Sequence, residues 1–471
     1  MVPAPGGHPA LVTPIALRPA PPAAAPARRA LLAGAAGNFV EWYEFGVYGC
    51  FATVIAAHFF TPEPGGGAAG AGPLVATYAS FALAFFFRPA GALLFGRLGD
   101  RIGRRPTLVL VIGLMTLATT LIGLLPTRAT AGATAPWLLT LLRALQGLCA
   151  GGEFGGAVAL MTEYAPPGRR GRYGAWQSFT VALGLLGGAG AAALAASLLP
   201  PAALNDWGWR LPFLAALPLG AAVLWVRAGL QEPPGPPPAG GAVPAGPPES
   251  AAPPGPPGGV APPGPSRPLP APAPPGTAGA VVLGIGRIMG WSAAGYTFLV
   301  VLPSYLQSTL GASFRDSLIA TALANLGFAA AIVPAGMLSD RVGRRPVMLC
   351  GAITVTVSAL PLLHLLRDPD GSAALRAAAV LGAGAAVGLL AGPGPAMLAE
   401  MFPARVRCTG LGMAYALTNA VFSGCAGLVI TALTAATGDH DVPAYYAAGA
   451  CALSAVALAT LRGDDHLRPL R

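Results

Sequence analysis

Apolar residues along this chain neither alternate nor recur on a single stripe; they run on without interruption. About twelve stretches stay apolar for on the order of 20 residues, the length a helix needs to cross a hydrocarbon layer. They begin near Leu31, Leu74, Thr107, Pro136, Tyr173, Leu211, Ala278, Ser317, Val347, Ala374, Thr409 and Val442, and polar positions collect between them. A segment surrounded by lipid must close its backbone hydrogen bonds within itself, so each run predicts a helix. The pattern predicts an all-α integral membrane protein with twelve transmembrane helices.

The pattern also repeats. GRLGDRIGRRP, Gly96 to Pro106, returns 240 residues later as GMLSDRVGRRP, Gly336 to Pro346, each time between the second and third run of a set of six. From 232 to 277 the chain is almost pure Pro, Gly and Ala, a composition that cannot bury a core and predicts an extended tether. The expected organisation is a disordered tail at 1–30, a six-helix half at 31–231, a cytoplasmic linker at 232–277, a second six-helix half at 278–463 and a short tail at 464–471. Parallel repeats about an axis along the membrane normal are a transporter arrangement, in which two halves rock around a central site.

Composition agrees. Charged residues make up 10% of the chain and mean hydropathy is +0.63, whereas a soluble domain carries roughly a quarter charged residues. The net charge of +10 raises the question of a nucleic-acid partner, but its placement answers differently. There is no lysine. With the repeated loops in the cytoplasm, 20 of the 28 arginines fall on the cytoplasmic side, and five (Arg128, Arg210, Arg315, Arg367, Arg376) fall outside. This bias predicts that both termini are cytoplasmic. The remaining three, Arg88, Arg143 and Arg287, lie within apolar runs. The first thirty residues carry no cleavable signal pattern, so the first run is expected to act as its own insertion signal. Six scattered cysteines without a CxxC pair, and five dispersed histidines, indicate neither a disulfide framework nor a metal site.

A charge at mid-depth costs at least ~2.5 kcal/mol on insertion scales, so it calls for a function or a partner. In the first run Asn38, Glu41, Glu44 and Tyr48 follow at helical spacing and are expected to form one polar stripe, with Glu41 near mid-depth. A carboxyl group at that depth that can exchange its proton has the property a proton-coupling site requires. The fourth run places Arg143, Gln146 and Glu153 on one side, and Gly147, Gly151 and Gly155 on a close-packing face. A pair between Arg143 and one of the carboxylates would explain both charges, as a fixed brace or as a proton relay. Arg88 lies twelve residues before Asp100, ~18 Å along a helix, too deep to snorkel easily. Arg287 sits about nine residues into the seventh run. Its planar guanidinium suits a carboxylate ligand, with Glu41 or Glu153 as the partner holding it in the empty state. AGPGPAM, Ala391 to Met397, predicts a break in the tenth helix, tolerated beside protein or an aqueous cavity.

The repeated loops invite a mechanical reading. Gly96 and Gly336 allow helices to approach closely, and Asp100 and Asp340 lie near helix ends. The following residues, Arg101, Gly103, Arg104 and Arg105 in one copy and Arg341, Gly343, Arg344 and Arg345 in the other, supply turns and cations that can pair with carboxylates or helix termini. Such a cluster can latch two halves together on one face. Arginine loops can also serve only to fix orientation.

The loop pattern resembles the signature of the major facilitator superfamily. GNFVEWYEFGVYG (Gly37 to Gly49), FRPAGALLFGRLGD (Phe87 to Asp100), RALQGLCAGGEFGGA (Arg143 to Ala157), DWGWRLPF (Asp206 to Phe213) and AEMFPARVRCTGLG (Ala399 to Gly412) resemble its metabolite:proton symporter branch, which includes proline/betaine and α-ketoglutarate permeases. The resemblance covers nearly all the chain except the first thirty residues and the linker. It implies proton-coupled uptake of a small carboxylate-bearing metabolite across the plasma membrane by a monomer with no enzymatic activity, no cofactor and no metal. It also implies that helices one, four, seven and ten line a central cavity, and that Arg88 has a structural or gating role as readily as a substrate-binding one. Arg287 belongs to no motif shared by the branch. The fifth run lacks the Gly-Pro signature of drug antiporters, and LQEPP after the sixth run differs from the motif of sugar porters. Some osmosensing permeases bear a long charged coiled-coil tail; with RGDDHLRPLR as the last residues here, osmotic gating by that device is not expected. An exporter or a non-transporting membrane sensor remains the alternative; a membrane enzyme would need a nucleophile–base or metal constellation that the sequence does not offer.

Overall fold

The computed structural model describes residues 24–62, 70–102, 104–151, 154, 158, 161–163, 165–228, 277–368, 370–403 and 406–461. The expected linker at 232–277, apart from its last residue, and most of both tails lie outside the described residues. Each apolar run begins in a helix. In chain order the principal helices are α1 (Ala24–Cys50), α2 (Gly72–Ile102), α3 (Arg104–Leu124), α4 (Thr134–Ala150), α5 (Arg170–Leu198), α6 (Ala216–Ala228), α7 (Thr277–Tyr296), α8 (Phe314–Val342), α9 (Arg344–Arg367), α10 (Ala373–Ala391), α11 (Arg407–Thr418) and α12 (Val442–Ala459).

Among the described residues nine helical stretches are long and apolar enough to cross a membrane. A tenth is counted if Pro201–Gly208 and Arg210–Trp225, bent by 41° at their junction, form one span. Two of the runs read from the sequence are therefore not among them. One is α1, whose apolar length is interrupted by Asn38, Glu41 and Glu44; the other is α4, which is described only to Ala150 as a continuous helix.

Helices α1 to α6 pack around the pairs α1–α5 and α2–α4, and helices α7 to α12 around α7–α12, α8–α10 and α9–α12. The two groups meet most extensively along α5 and α8, and also where α2 crosses the segment Asn419–Gly424 that continues α11. The α2–α4 contact shows why the sequence specifies it. A Cβ on Gly147 would lie 1.9 Å from the Ala84 carbonyl oxygen, and one on Gly151 the same distance from that of Arg88. Only glycine lets the backbones approach so closely, as small residues do in membrane helix pairs.

Several helices are irregular. Segments Thr297–Val301 after α7 and Asn419–Gly424 after α11 are π-helical, a form that often occurs at functional sites. The expected break in AGPGPAM is present: α10 stops at Ala391 and a short helix, Gly394–Met401, restarts the run. Trp291 of α7 lies over this break, with a ring carbon 3.0 Å from where a Cβ on Gly394 would stand.

Candidate functional site

The charges expected at depth are buried, but they do not share one site. Three residues of an α-helix turn by about 300°, so steps from Asn38 to Glu41 to Glu44 rotate the stripe away from a single neighbour. Asn38 faces α5, donating to the Thr180 hydroxyl at 2.6 Å and the Gln177 carbonyl at 3.3 Å. Glu41 faces α2 and pairs with Arg88 at 3.1 Å, both side chains almost fully buried. Glu44 faces α3 and α4, near Thr119, Gln146 and Arg143. Tyr48 shares a 2.7 Å hydrogen bond with Ser80 of α2.

Glu41 and Arg143 are thus not partners: the cation that holds Glu41 is Arg88. Arg143 donates to the Gln146 side chain at 2.7 Å, and Gln146 in turn donates to Thr119 at 2.6 Å. The guanidinium lies over the rings of Tyr48, Phe45 and Phe81 at 4.1, 4.9 and 4.8 Å. Arg88 is enclosed in the same way, 4.3 Å from Phe85, 4.9 Å from Phe45 and 5.6 Å from Trp42. Aromatic faces attract cations, which lowers the cost of keeping two guanidinium groups away from water. Glu44 differs from both: its carboxylate oxygens are buried and meet no donor at hydrogen-bonding geometry. Glu153 lies outside the described residues.

Trp42, which the Arg88 guanidinium faces at 5.6 Å, also lines a cavity between the two helix groups. It is lined by Trp42 of α1, Val181 and Leu185 of α5, Trp291, Ser292 and Tyr296 of α7, Tyr415 of α11, and Asn419 and Ser423 beyond it, among others. At about 30 Å³ it has room for one or two waters. Arg287 is not on this wall. It points to the end of α12, where it donates to Thr460 at 3.0 Å. The expectation that Glu41 holds Arg287 does not match this arrangement: the cation that meets Glu41 is Arg88, and neither arginine is among the residues lining the cavity. Sequence spacing placed Arg287 at the right depth on a cavity-forming helix, but the face it occupies looks towards α12.

The repeated motif is visible in its second copy. Asp340, at the end of α8, accepts from the backbone N–H groups of Gly171 and Arg172 at 2.7 and 2.8 Å, capping the first turn of α5 across the divide between the helix groups. Arg344 donates to Asp340 at 2.7 Å and pairs with Glu400 at 3.0 Å, and Arg170 of α5 approaches Glu400 at 3.9 Å. Gly336 permits the contact: a Cβ there would lie 2.5 Å from that of Ala175 and 2.6 Å from the Gly171 oxygen. Gly343, at φ 96°, turns the chain from α8 to α9. Arg341 and Arg345 are exposed, as is Arg101 in the first copy. Gly103 and the side chains of Asp100, Arg104 and Arg105, with Gly96, lie outside the described residues.

Sequence reading missed a second bridge at this end, Arg407 to Glu163 at 2.5 Å. A signal was present, since Glu163 and Arg170 in one half, and Glu400 and Arg407 in the other, stand at the same seven-residue spacing. At the opposite end Thr53 donates to Gln307 at 2.6 Å, and Tyr78 meets Ser304 at 2.6 Å. The helix groups therefore touch at both ends of the cavity. The aromatic wall was also missed, because Trp42, Trp291, Tyr296 and Tyr415 are unremarkable apolar residues until the fold brings them together.

Two family models match: that of the sugar (and other) transporters over residues 30–234, and that of the Major Facilitator Superfamily over 283–470. The chain is 32% identical over 442 residues to an ectoine/proline transporter of Corynebacterium glutamicum, covering 92% of this chain and 83% of that one. The chain belongs to the major facilitator superfamily. This transporter is also 31% identical over 446 residues to the proline/betaine transporter of Escherichia coli, with 94% and 85% coverage. It is 32% identical over 444 residues to a citrate-proton symporter of Klebsiella pneumoniae, with 92% and 94% coverage. These relatives agree with the metabolite:proton symporter motifs and identify a multi-pass protein of the cell membrane that is a transporter, not an enzyme. Its fold is similar to that of a D-xylose-proton symporter, with a TM-score of 0.70 at 18% identity, covering 94% of this chain and 99% of that one.

Proposed function

We propose that this transporter carries a small carboxylate-bearing metabolite into the cell together with a proton, working as a monomer with twelve spans, cytoplasmic termini and no cofactor. The observation that carries the reading is the buried Glu41–Arg88 pair, separated from the cavity by Trp42. A substrate carboxylate entering there competes for Arg88, whose guanidinium fork fits it. Glu41, released, would be a bare charge at low dielectric and takes a proton instead. Substrate and proton then travel together. Glu44, buried beside Thr119, Gln146 and Arg143, stands next in line as a relay between Glu41 and the Arg143–Gln146–Thr119 network.

The cavity is smaller than any metabolite, so substrate enters only when the helix groups part at one end. The contacts of Asp340 and Arg344 hold one end, which the arginine bias assigns to the cytoplasm; breaking them opens the site inward. The relatives named for proline, betaine, ectoine and citrate support the substrate class.

The test is uptake by proteoliposomes holding the purified protein under an imposed inward pH gradient. Accumulation of a labelled carboxylate above its external concentration, abolished by a protonophore, is the expected result. Efflux driven by the same gradient would make the protein an exporter. Absence of any flux, with specific binding retained, would make it a sensor.

A further inference from the structure

Arg143 is a deep cation that the acid beside it does not hold. Glu44 of α1 and Arg143 of α4 are both buried and near enough for their charges to interact, yet no hydrogen bond joins them. The guanidinium instead donates from Nη1 to the Gln146 side-chain oxygen at 2.7 Å, while Nε and Nη2 make no hydrogen bond and the group lies over the rings of Phe45, Tyr48 and Phe81.

The amide is fixed from behind. A hydroxyl has one hydrogen, and that of Thr119 goes to the Met115 carbonyl oxygen at 3.1 Å. Thr119 therefore accepts from the Gln146 amide nitrogen at 2.6 Å, which turns the amide oxygen towards Arg143. The chain from Met115 through Thr119 and Gln146 to Arg143 runs in one direction, and it belongs to α3 and α4, not to the helix that bears the carboxyl group.

Two acceptors thus stand beside one guanidinium, and a proton reverses their ranking. A charged carboxylate is a stronger acceptor for a cation than a neutral amide, and it loses that advantage once it is protonated. The amide does not change. Unprotonated, Glu44 draws Arg143 to itself; protonated, it leaves Arg143 to Gln146, which is the arrangement in the structure.

The other ionisable groups do not duplicate this role. Glu41 and Tyr43 share the helix of Glu44, Cys149 approaches from α4, and Tyr48 lies against Arg143. Helices α3, α5 and α6, which pack against α1, carry ionisable residues only in their terminal turns. Arg88, the other deep cation among the described residues of this helix group, is paired with Glu41.

We propose that Gln146, anchored by Thr119, is a positioning residue for the coupled proton: by offering Arg143 a neutral partner, it frees the Glu44 carboxyl group to bind and release a proton. Without that partner the guanidinium would stay on the carboxylate and hold it charged. The inference rests on Glu44 relaying the proton.

The test titrates Glu44 in the purified full-length protein. Infrared difference spectra across a pH series show the carbonyl stretch of protonated carboxyl groups, and the component lost in Glu44→Gln belongs to Glu44. Gln146→Met keeps the length of the side chain and removes its acceptor. The midpoint of the Glu44 component should fall by about one pH unit, a tenfold loss of proton affinity, as expected when a hydrogen bond competing for a charged group is removed. Thr119→Val, which takes away the anchor of the amide, should move the midpoint the same way, and Thr119→Ser should restore it. The pH profile of uptake should shift in the same order, and Gln146→Met should add no shift in a Glu44→Gln background. Should Gln146→Met fail to fold, the two Thr119 variants decide. An unchanged midpoint overturns the proposal and leaves the relay standing if Glu44→Gln still slows uptake. A raised midpoint also overturns it, since the amide would then be a donor to Glu44 and not its rival for Arg143. So does the absence of a Glu44 component at every pH at which the protein is stable. Uptake by Glu44→Gln with unaltered rate and pH profile would remove the relay reading, and this inference with it, whatever the midpoints.

Discussion

Asp340 accepts the Gly171 N–H at 2.7 Å, so a carboxylate at the end of one helix of the second half closes the first turn of a helix of the first half. The same carboxylate holds Arg344, which also grips Glu400. A helix N-terminus carries partial positive charge, and a charged acceptor there is worth about 1–3 kcal/mol. This contact is made only when the two halves meet at this end.

Replacing Asp340 with Asn should therefore alter turnover more than binding. Asp340→Asn keeps an acceptor but loses the charge, and the maximal uptake rate should fall about tenfold while the half-saturation concentration changes less than twofold. Initial-rate measurements over a range of substrate concentrations check this. A loss of affinity at constant maximal rate would contradict the latch.

At Gly336 the prediction is steric. Gly336→Val places a branched side chain where even one Cβ meets Ala175 and the Gly171 backbone, so α5 and α8 must separate. The variant should remain open at this end, seen as faster alkylation of a cysteine introduced on the cavity wall by a reagent applied from the motif side. Unchanged alkylation would mean that the helices absorb the clash elsewhere.

The two carboxylates of α1 should behave differently. Glu41→Gln cannot compete as a charge for Arg88 or take up the coupled proton; accumulation should vanish, exchange should persist, and the half-saturation concentration should fall. Glu44→Gln should slow accumulation without abolishing it. Counterflow and gradient-driven uptake, measured in parallel, separate the two. Normal accumulation by Glu41→Gln would remove it from the coupling step.

Breaking the buried pair from the other side tests its energetics. Arg88→Met leaves Glu41 without its cation among aromatic rings, so that it must either stay charged or bind a proton at neutral pH, and should destabilise the protein by up to about 3–5 kcal/mol, whereas the double variant Glu41→Gln, Arg88→Met should recover most of that loss. Thermal unfolding in detergent reads both. Equal stability of the single and double variants would show that Glu41 finds another partner.

Arg287→Lys provides the contrast. Because Arg287 reaches Thr460 and not the cavity, the substitution should change uptake of a carboxylate and of its amide by the same factor. A selective loss for the acid would return Arg287 to the substrate site.

The sequence by itself determined the membrane class, the helical runs, the duplication and the family. Each of these follows from local properties: apolar length, a recurring loop and contiguous motifs. It also placed Glu41, Glu44 and Arg88 at depth, since depth is a count of residues along one helix, while its count left Arg143 nearer the surface. Partnership is a different quantity. Which cation meets Glu41 depends on how α1 is rotated and which helix lies against that face, and this is set by contacts such as the approach of Gly147 and Gly151 to α2. For the same reason the spacing that made Arg287 look equivalent to the other deep arginines did not reveal that it faces α12. Packing alone settles that Arg88 and not Arg143 pairs with Glu41, that Asp340 caps a helix of the opposite half, and that Trp42, Trp291, Tyr296 and Tyr415, from three helices, form one wall. Helical periodicity fixes where a side chain lies on its own helix, while its neighbours are chosen by packing between helices that the sequence lists far apart.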